Sequence, residues 1–106
     1  MSGPPVFAVI GAGSWGTALA ILLARNGARV RLWGHLPDEV HKLAQEGQNS
    51  TFLPGIQFPE KLTPTADLAA ALRGADEVLI AVPRHAFAPV LKTVARCPAR
   101  PPGVGW

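Results

Sequence analysis

The chain has 106 residues, 48% of them hydrophobic and 16% charged, which is long enough for one folded domain with a core and too short for two. The net charge of +3 comes from Lys and Arg residues scattered along the chain, so it does not predict a nucleic-acid-binding surface. A single cysteine, Cys97, excludes an internal disulfide and a cysteine-rich metal site, and it fits a reducing cytoplasm.

The first predicted element is a buried strand at Val6–Ile10, a short and continuous run of branched and aromatic residues. Three glycines follow at Gly11, Gly13 and Gly16, a spacing that weakens a strand or a helix by about 0.5 to 1 kcal/mol per glycine. After Gly13 the apolar residues recur with a helical period, and Gly27 marks the expected end of that helix. The residues that define the period are Trp15, Ala18, Leu19 and Leu22.

A G-x-G-x-x-G spacing between a buried strand and a helix is typical of a loop that binds the pyrophosphate of a dinucleotide. Gly11 allows the tight turn, Gly13 lets the backbone approach the phosphate, and Gly16 lets the helix pack on the sheet. Free N–H groups and the positive end of the helix then face the phosphate. Two other interpretations stay open: a strand-to-helix corner that binds nothing, and a membrane span, since 6–24 carries no charge.

The end of the second predicted strand, at 28–33, indicates which dinucleotide fits. It lies about 20 residues after the first glycine, where a carboxylate binds the ribose 2′-hydroxyl of NAD. Gly34 and His35 stand there instead, and Asp38 and Glu39 come later, in the first turn of a helix. Without that carboxylate NADP is admitted, and His35 is either a neighbour of the 2′-phosphate or a solvated loop residue.

The rest of the chain continues the alternation of helices and strands. The predicted elements are a helix at 37–46, a short helix capped by Thr65 and ending at Leu72, a strand at 77–82 and a helix after Pro83. One face of the last helix contains Phe87, Val90, Leu91 and Val94. Lys92 and Arg96 are therefore expected to face water.

Segment 48–64 is the one long stretch without a clear period. Its three prolines predict a loop, with a short strand near 61–63. A loop of this length in a compact domain usually carries function. The residues expected to line the crevice at the carboxyl ends of the strands are Phe52, Pro83, Arg84 and His85.

These elements predict an α/β, Rossmann-like, doubly wound parallel sheet. We expect one NAD(P)-binding domain at 1–96 and a proline- and glycine-rich tail at 97–106, in which a further strand could begin at Val104. We expect no metal site and no nucleic-acid partner.

Four segments resemble the amino-terminal part of the bacterial-type NAD(P)-dependent glycerol-3-phosphate dehydrogenases: GAGSWGTALA, LWGH, NSTFLPGIQFPEKLTPTADL and GADEVLIAVP. They occur in the order and at the separations of that family, across residues 6–95. The resemblance implies NADP or NAD as cofactor and a cytoplasmic oxidoreductase. Its complete form interconverts sn-glycerol 3-phosphate and dihydroxyacetone phosphate by hydride transfer and feeds phospholipid biosynthesis.

The resemblance also assigns site residues, because the family positions that match Ser14, Trp15, His35 and Phe52 contact the dinucleotide. The cofactor-binding residues predicted in total are Gly11, Gly13, Ser14, Trp15, Gly16, His35, Phe52 and Pro83. Arg84 departs from the small polar residue that the family more commonly has.

The family's catalytic lysines and its helical second domain lie beyond the end of this chain, so no catalytic residue is assigned. We expect the segment to be inactive alone, and its uncovered apolar surface to favour self-association or a homodimer. The alternative is a free-standing nucleotide-binding or regulatory module built on the same unit.

Overall fold

Strands and helices alternate in the computed structural model, which describes residues 4–96. The elements are β1 (Val6–Ile10), α1 (Ser14–Arg25), β2 (Arg29–Trp33), α2 (Pro37–Glu46), β3 (Gln48–Asn49), β4 (Leu53–Gln57), β5 (Leu62–Thr65), α3 (Leu68–Leu72), β6 (Glu77–Ile80) and α4 (Arg84–Arg96). The tail predicted at 97–106 lies outside the described residues.

Four parallel strands form the main sheet in the order β5-β2-β1-β6, and β3 pairs with β4 in a separate antiparallel hairpin. The strand that precedes the glycines, β1, is central, with Val6 opposite Arg29 and Ile10 opposite Trp33 on β2. The α/β, Rossmann-like parallel sheet predicted from the sequence is confirmed.

Apolar side chains are buried on both faces of this sheet, as a doubly wound fold requires. One face packs against α1 through Val9, Ala20, Ile21, Ala24, Val30, Leu32 and Leu62. The other face packs against α3 and α4 through Ala8, Ile10, Leu72, Val78 and Val94. The uncharged run at 6–24 is divided between β1 and α1, and no helix within 4–96 has the length and apolar character needed to cross a membrane.

Helix α1 forms where it was predicted, but the residues that define its apolar period are not the buried ones. Trp15 and Leu22 are 65% and 57% exposed. The buried residues are Gly16, Thr17, Ala20, Ile21 and Ala24. Because almost every position of this helix is apolar or small, the spacing of apolar residues does not predict which face is buried. The buried face is the one that contains Gly16, which approaches Gly11 and Ala81 closely.

Segment 48–64, predicted as a loop, instead contains the β3–β4 hairpin and most of β5. The hairpin depends on hydrogen bonds that an apolar period does not reveal: Gly55 N donates to Gln48 Oε1 at 2.8 Å, and Phe58 N donates to Gly47 O at 2.7 Å. The short strand predicted near 61–63 is confirmed, at Leu62–Thr65.

The cap of α3 is Asp67 and not Thr65, because Thr65 still belongs to β5. Asp67 Oδ1 accepts a hydrogen bond from Ala70 N at 3.2 Å, and Thr65 Oγ1 accepts one from Asp67 N at 3.1 Å. At the other end of α3, the Arg31 guanidinium donates from Nη1 to the carbonyl oxygens of Ala70, at 3.2 Å, and Arg73. Arg31 therefore satisfies carbonyl groups that a five-residue helix leaves unpaired.

The helix predicted after Pro83 is confirmed as α4. Val94 is buried, whereas Lys92 and Arg96 are exposed as expected. The strand predicted at 77–82 is shorter than expected and ends at Ile80.

The outer edge of β5 has no free backbone N–H group. Val30 N donates to Lys61 O at 3.0 Å and Gly34 N donates to Thr65 O at 3.1 Å, so the odd-numbered residues of β5 face β2. The backbone N–H and C=O positions of Leu62 and Pro64 point away from β2, towards the outer edge. The N–H of Leu62 is bound to the Pro59 carbonyl oxygen at 3.0 Å, and proline has none.

Candidate functional site

A cleft of about 370 Å³ opens at the carboxyl edge of the sheet, where β1, β2 and β6 end. Its lining consists of Gly11, Ala12, Gly13, Trp33, Gly34, His35, Leu36, Glu39, Val40, Phe52, Ala81, Val82, Pro83, Ala86 and Val90. Small-molecule sites commonly have volumes of about 300 to 1,000 Å³ and mostly apolar walls. In an open parallel sheet this edge is where ligands bind.

The turn after β1 requires glycine at Gly11. Its φ is +122°, and a Cβ there would lie 2.4 Å from the carbonyl oxygen of Ala81. Its N–H donates to the Trp33 carbonyl oxygen at 2.9 Å. The absence of a side chain thus lets the chain leave β1 between β2 and β6.

Gly16 is also required, for a different reason. A Cβ at this position would lie 1.8 Å from the carbonyl oxygen of Gly11, so α1 could not approach the turn as closely with any other residue. Gly16 is buried and does not line the cleft. Its contribution to the site is to hold the start of α1 against the turn.

Gly13 differs from both, because the fold does not require it to be glycine. Its φ is −79°, which any residue adopts, and a Cβ built there meets nothing within 4 Å. It is the N-cap of α1, with no side-chain cap hydrogen bond, and the first turn carries no acidic residue. The N–H groups of that turn are therefore uncapped beside open space, the arrangement that binds phosphate at helix N-termini.

The cleft brings together the glycine turn and three other predicted residues. His35 follows β2, with its ring centroid 6.3 Å from that of Trp33, and it is exposed. Phe52 comes from the hairpin and is 50% exposed, and Pro83 follows β6. All three lie in the lining.

The other predicted residues lie elsewhere. Ser14 and Trp15 are exposed in the first turn of α1 and are not part of the lining. Arg84 and His85, expected in the crevice, are exposed and also outside it, because α4 turns Ala86 towards the cleft instead.

Sequence reasoning missed Glu39 as a cleft residue. It was assigned to the first turn of a helix, which is correct, but the structure places that turn on the cleft wall. The sequence carried no signal for this, because the position of Glu39 depends on how α2 packs, with the neighbouring Val40 buried. Glu39 and His35 are the titratable residues of the lining, and residues 4–96 hold no group of three or more His, Cys, Asp or Glu that could bind a metal ion.

Comparisons with known proteins agree with this geometry. A family model described as the NAD-dependent glycerol-3-phosphate dehydrogenase N-terminus matches residues 6–104. The glycerol-3-phosphate dehydrogenase (NAD(P)+) of Desulfotalea psychrophila is 54% identical over 88 residues, which are 83% of this chain and 26% of the relative. That of Legionella pneumophila, strain Corby, is 46% identical over 99 residues, 93% of this chain and 29% of the relative.

Solved structures agree as well. The crystal structure of glycerol-3-phosphate dehydrogenase from Coxiella burnetii matches with a TM-score of 0.88 at 42% identity, over 95% of this chain and 30% of that chain. The yeast glycerol-3-phosphate dehydrogenase matches with a TM-score of 0.77 at 23% identity, over 91% of this chain and 31% of that chain, which shows the shared fold alone. The chain spans about a quarter of the length of the curated relatives it matches, 26% of the first of them.

Proposed function

Because the chain belongs to the NAD-dependent glycerol-3-phosphate dehydrogenase family, matching its N-terminal part, we propose that the cleft binds NAD(P)H for the interconversion of sn-glycerol 3-phosphate and dihydroxyacetone phosphate. The bound nicotinamide supplies or accepts the hydride in that reaction. The residues of this chain bind and orient the dinucleotide. We assign the domain to 1–96.

The proposal rests on the open space beside Gly13 at the uncapped N-terminus of α1. Gly11 and Gly16 are explained by close backbone contacts, whereas position 13 needs glycine neither for its φ nor for space, and its N-cap role is one that Ser, Thr, Asp or Asn fill as well. An absent side chain beside the uncapped N-terminus of α1 leaves room for a pyrophosphate against the backbone N–H groups. Ser14 and Trp15 contribute backbone N–H groups of the same turn.

The strand order then orients the rest of the dinucleotide. In this fold the ribose of the adenosine half lies beside the end of the second strand, so it falls next to His35 and the nicotinamide falls towards Pro83. Phe52 borders the cleft from the hairpin side. His35 can face a 2′-phosphate, and Glu39 places a carboxylate on the same wall, a mixed environment that suits both NAD and NADP.

The test of this proposal is a calorimetric titration of the folded chain with NADPH and NADH. Gly13→Val fills the open space beside the loop and is expected to reduce affinity at least tenfold by steric exclusion. Ala44→Val is the control, because it introduces the same side chain at an exposed position of α2 outside the cleft. Equal titration curves for folded wild type and Gly13→Val would contradict the site.

We also propose a cytoplasmic location, which the single cysteine favours. Self-association is favoured by the apolar side chains of Trp15, Leu22 and Phe52, each at least half exposed. Sedimentation velocity at increasing protein concentration measures it. A single sedimentation coefficient at all concentrations would contradict this part of the proposal.

A further inference from the structure

Asn49 lies at the end of β3 and is one of two buried polar side chains among residues 4–96, the other being Thr17. It is 2% exposed. Burying an amide is unfavourable unless its hydrogen-bonding groups find partners. The partners of Asn49 therefore indicate what the residue does.

The Asn49 amide joins two parts of the chain that lie far apart in sequence. Its Nδ2 donates to the Ala12 carbonyl oxygen at 3.1 Å and to Thr17 Oγ1 at 2.9 Å. Its Oδ1 accepts from the backbone N–H of Phe52 at 3.2 Å. Because a carbonyl oxygen only accepts and a backbone N–H only donates, these partners fix the orientation of the amide.

The contact with Ala12 has a consequence for the glycine turn. Ala12 lies between Gly11 and Gly13, and no peptide bond among the described residues is cis. In a trans peptide the C=O and the following N–H point in opposite directions. An Ala12 carbonyl oxygen held by Asn49 therefore fixes the direction of the Gly13 N–H, on the peptide that lines the cleft.

We propose that Asn49 is a positioning residue for the dinucleotide. One buried amide sets the orientation of the Gly13 N–H and holds the backbone of Phe52, which also lines the cleft, so the cleft has its binding geometry before the ligand arrives. Groups fixed in advance lose less entropy on binding. This inference rests on the proposed function of the cleft.

The experiment compares three variants by calorimetric titration with NADPH. Asn49→Ala removes the whole link and is expected to weaken binding at least tenfold. Thr17→Val keeps the side-chain size and removes an acceptor of the Asn49 amide together with the hydrogen bond that Thr17 Oγ1 donates to the Ala12 carbonyl oxygen at 3.4 Å. It is expected to weaken NADPH binding about threefold. Gln48→Ala is the matched control, because the Gln48 side chain accepts a hydrogen bond from Gly55 N within the same hairpin and does not line the cleft; it is expected to bind within twofold of wild type.

A second readout separates positioning from general stability. The backbone amide resonance of Gly13 in ligand-free protein is expected to shift in Asn49→Ala and Thr17→Val and to stay in place in Gln48→Ala. If Asn49→Ala does not fold, Thr17→Val provides both measurements.

The outcomes distinguish this inference from the proposed function. A wild-type chain that does not bind NADPH overturns the proposed function, whereas an unchanged Gly13 resonance in the folded Asn49 or Thr17 variants overturns the positioning role. Affinities equal to wild type in both variants, or an equal loss in Gln48→Ala, also overturn it.

Discussion

A methyl group added at Gly11 would lie 2.4 Å from the Ala81 carbonyl oxygen, and one added at Gly16 would lie 1.8 Å from the Gly11 carbonyl oxygen. Backbone atoms cannot move aside as a flexible side chain can. We expect Gly11→Ala and Gly16→Ala to lower the free energy of unfolding by about 2 kcal/mol or more. Gly13→Ala is expected to lower it by less than about 1 kcal/mol, the loss of a glycine N-cap.

Urea unfolding followed by circular dichroism measures these three values. An equal loss at all three glycines would contradict the distinction between the two glycines that the fold requires and the one that it does not.

The charge beside the proposed position of the adenosine ribose can be changed at a single residue. Gly34 is unsuitable, because a Cβ there would lie 2.9 Å from Val40 Cγ2. His35→Asp is expected to weaken NADPH about tenfold more than NADH, about 1.4 kcal/mol, because a carboxylate then faces the 2′-phosphate. His41→Asp is the control, since His41 is exposed on α2 outside the cleft.

Fluorescence titration with both cofactors gives the ratio of the two affinities. If His35→Asp weakens both cofactors by the same factor, or if His41→Asp reproduces the effect, His35 does not determine selectivity.

The glycine turn could be predicted at residue level because three glycines at this spacing between a buried strand and a helix form a recognisable local pattern, even though the contact that requires Gly11 is with the distant Ala81. Glu39 could not be predicted as a cleft residue, because its place depends on how α2 packs after β2. Asn49 gave no signal at all: a lone asparagine in a segment without a period shows its importance only when the chain brings Ala12 and Thr17 to it.

At the level of elements, the stability of helix α3 depends on the Arg31 side chain, which comes from β2. Arg31→Met keeps the aliphatic stem and removes the donors to the carbonyl oxygens at the end of α3. We expect it to lower the free energy of unfolding by about 1 to 3 kcal/mol. Arg29→Met, at an exposed position of the same strand, is expected to change it by less than about 0.5 kcal/mol.

Urea denaturation of the two variants measures this difference. Equal stabilities of Arg31→Met and Arg29→Met would contradict the capping role.

Strand β1 was predictable because a buried central parallel strand is a continuous apolar run, VFAVI. The hairpin at 48–57 was not, since its two strands are short and mostly exposed, and the bond from Gly55 N to Gln48 Oε1 has no periodic signature. The buried face of α1 was hidden for the opposite reason: the helix is apolar nearly all round.

At the level of the whole molecule, we expect the 106-residue chain to reduce no dihydroxyacetone phosphate, even when it binds cofactor. The reaction needs a proton donor at the substrate oxygen and cations on its phosphate, placed against the nicotinamide. The titratable residues of the cleft, His35 and Glu39, lie on the β2 side, whereas its wall at β6 is formed by Ala81, Val82, Pro83 and Ala86.

The assay follows NADPH absorbance at high protein concentration, with the Legionella relative as the positive control. Turnover above the buffer rate that disappears in His85→Ala would contradict the expectation and assign chemistry to a residue outside the cleft.

The two edges of the four-stranded sheet offer different chemistry to an incoming strand. Along the outer side of β5, Pro64 has no N–H and that of Leu62 is already bound to Pro59 at 3.0 Å, so no amide hydrogen remains there for pairing. The outer side of β6 has no proline and pairs with no strand within 4–96. The β6 edge therefore suits a further strand better than the β5 edge does, because β5 offers an incoming strand carbonyl oxygens but no N–H groups, which weakens the edge-to-edge pairing to which open sheets are prone.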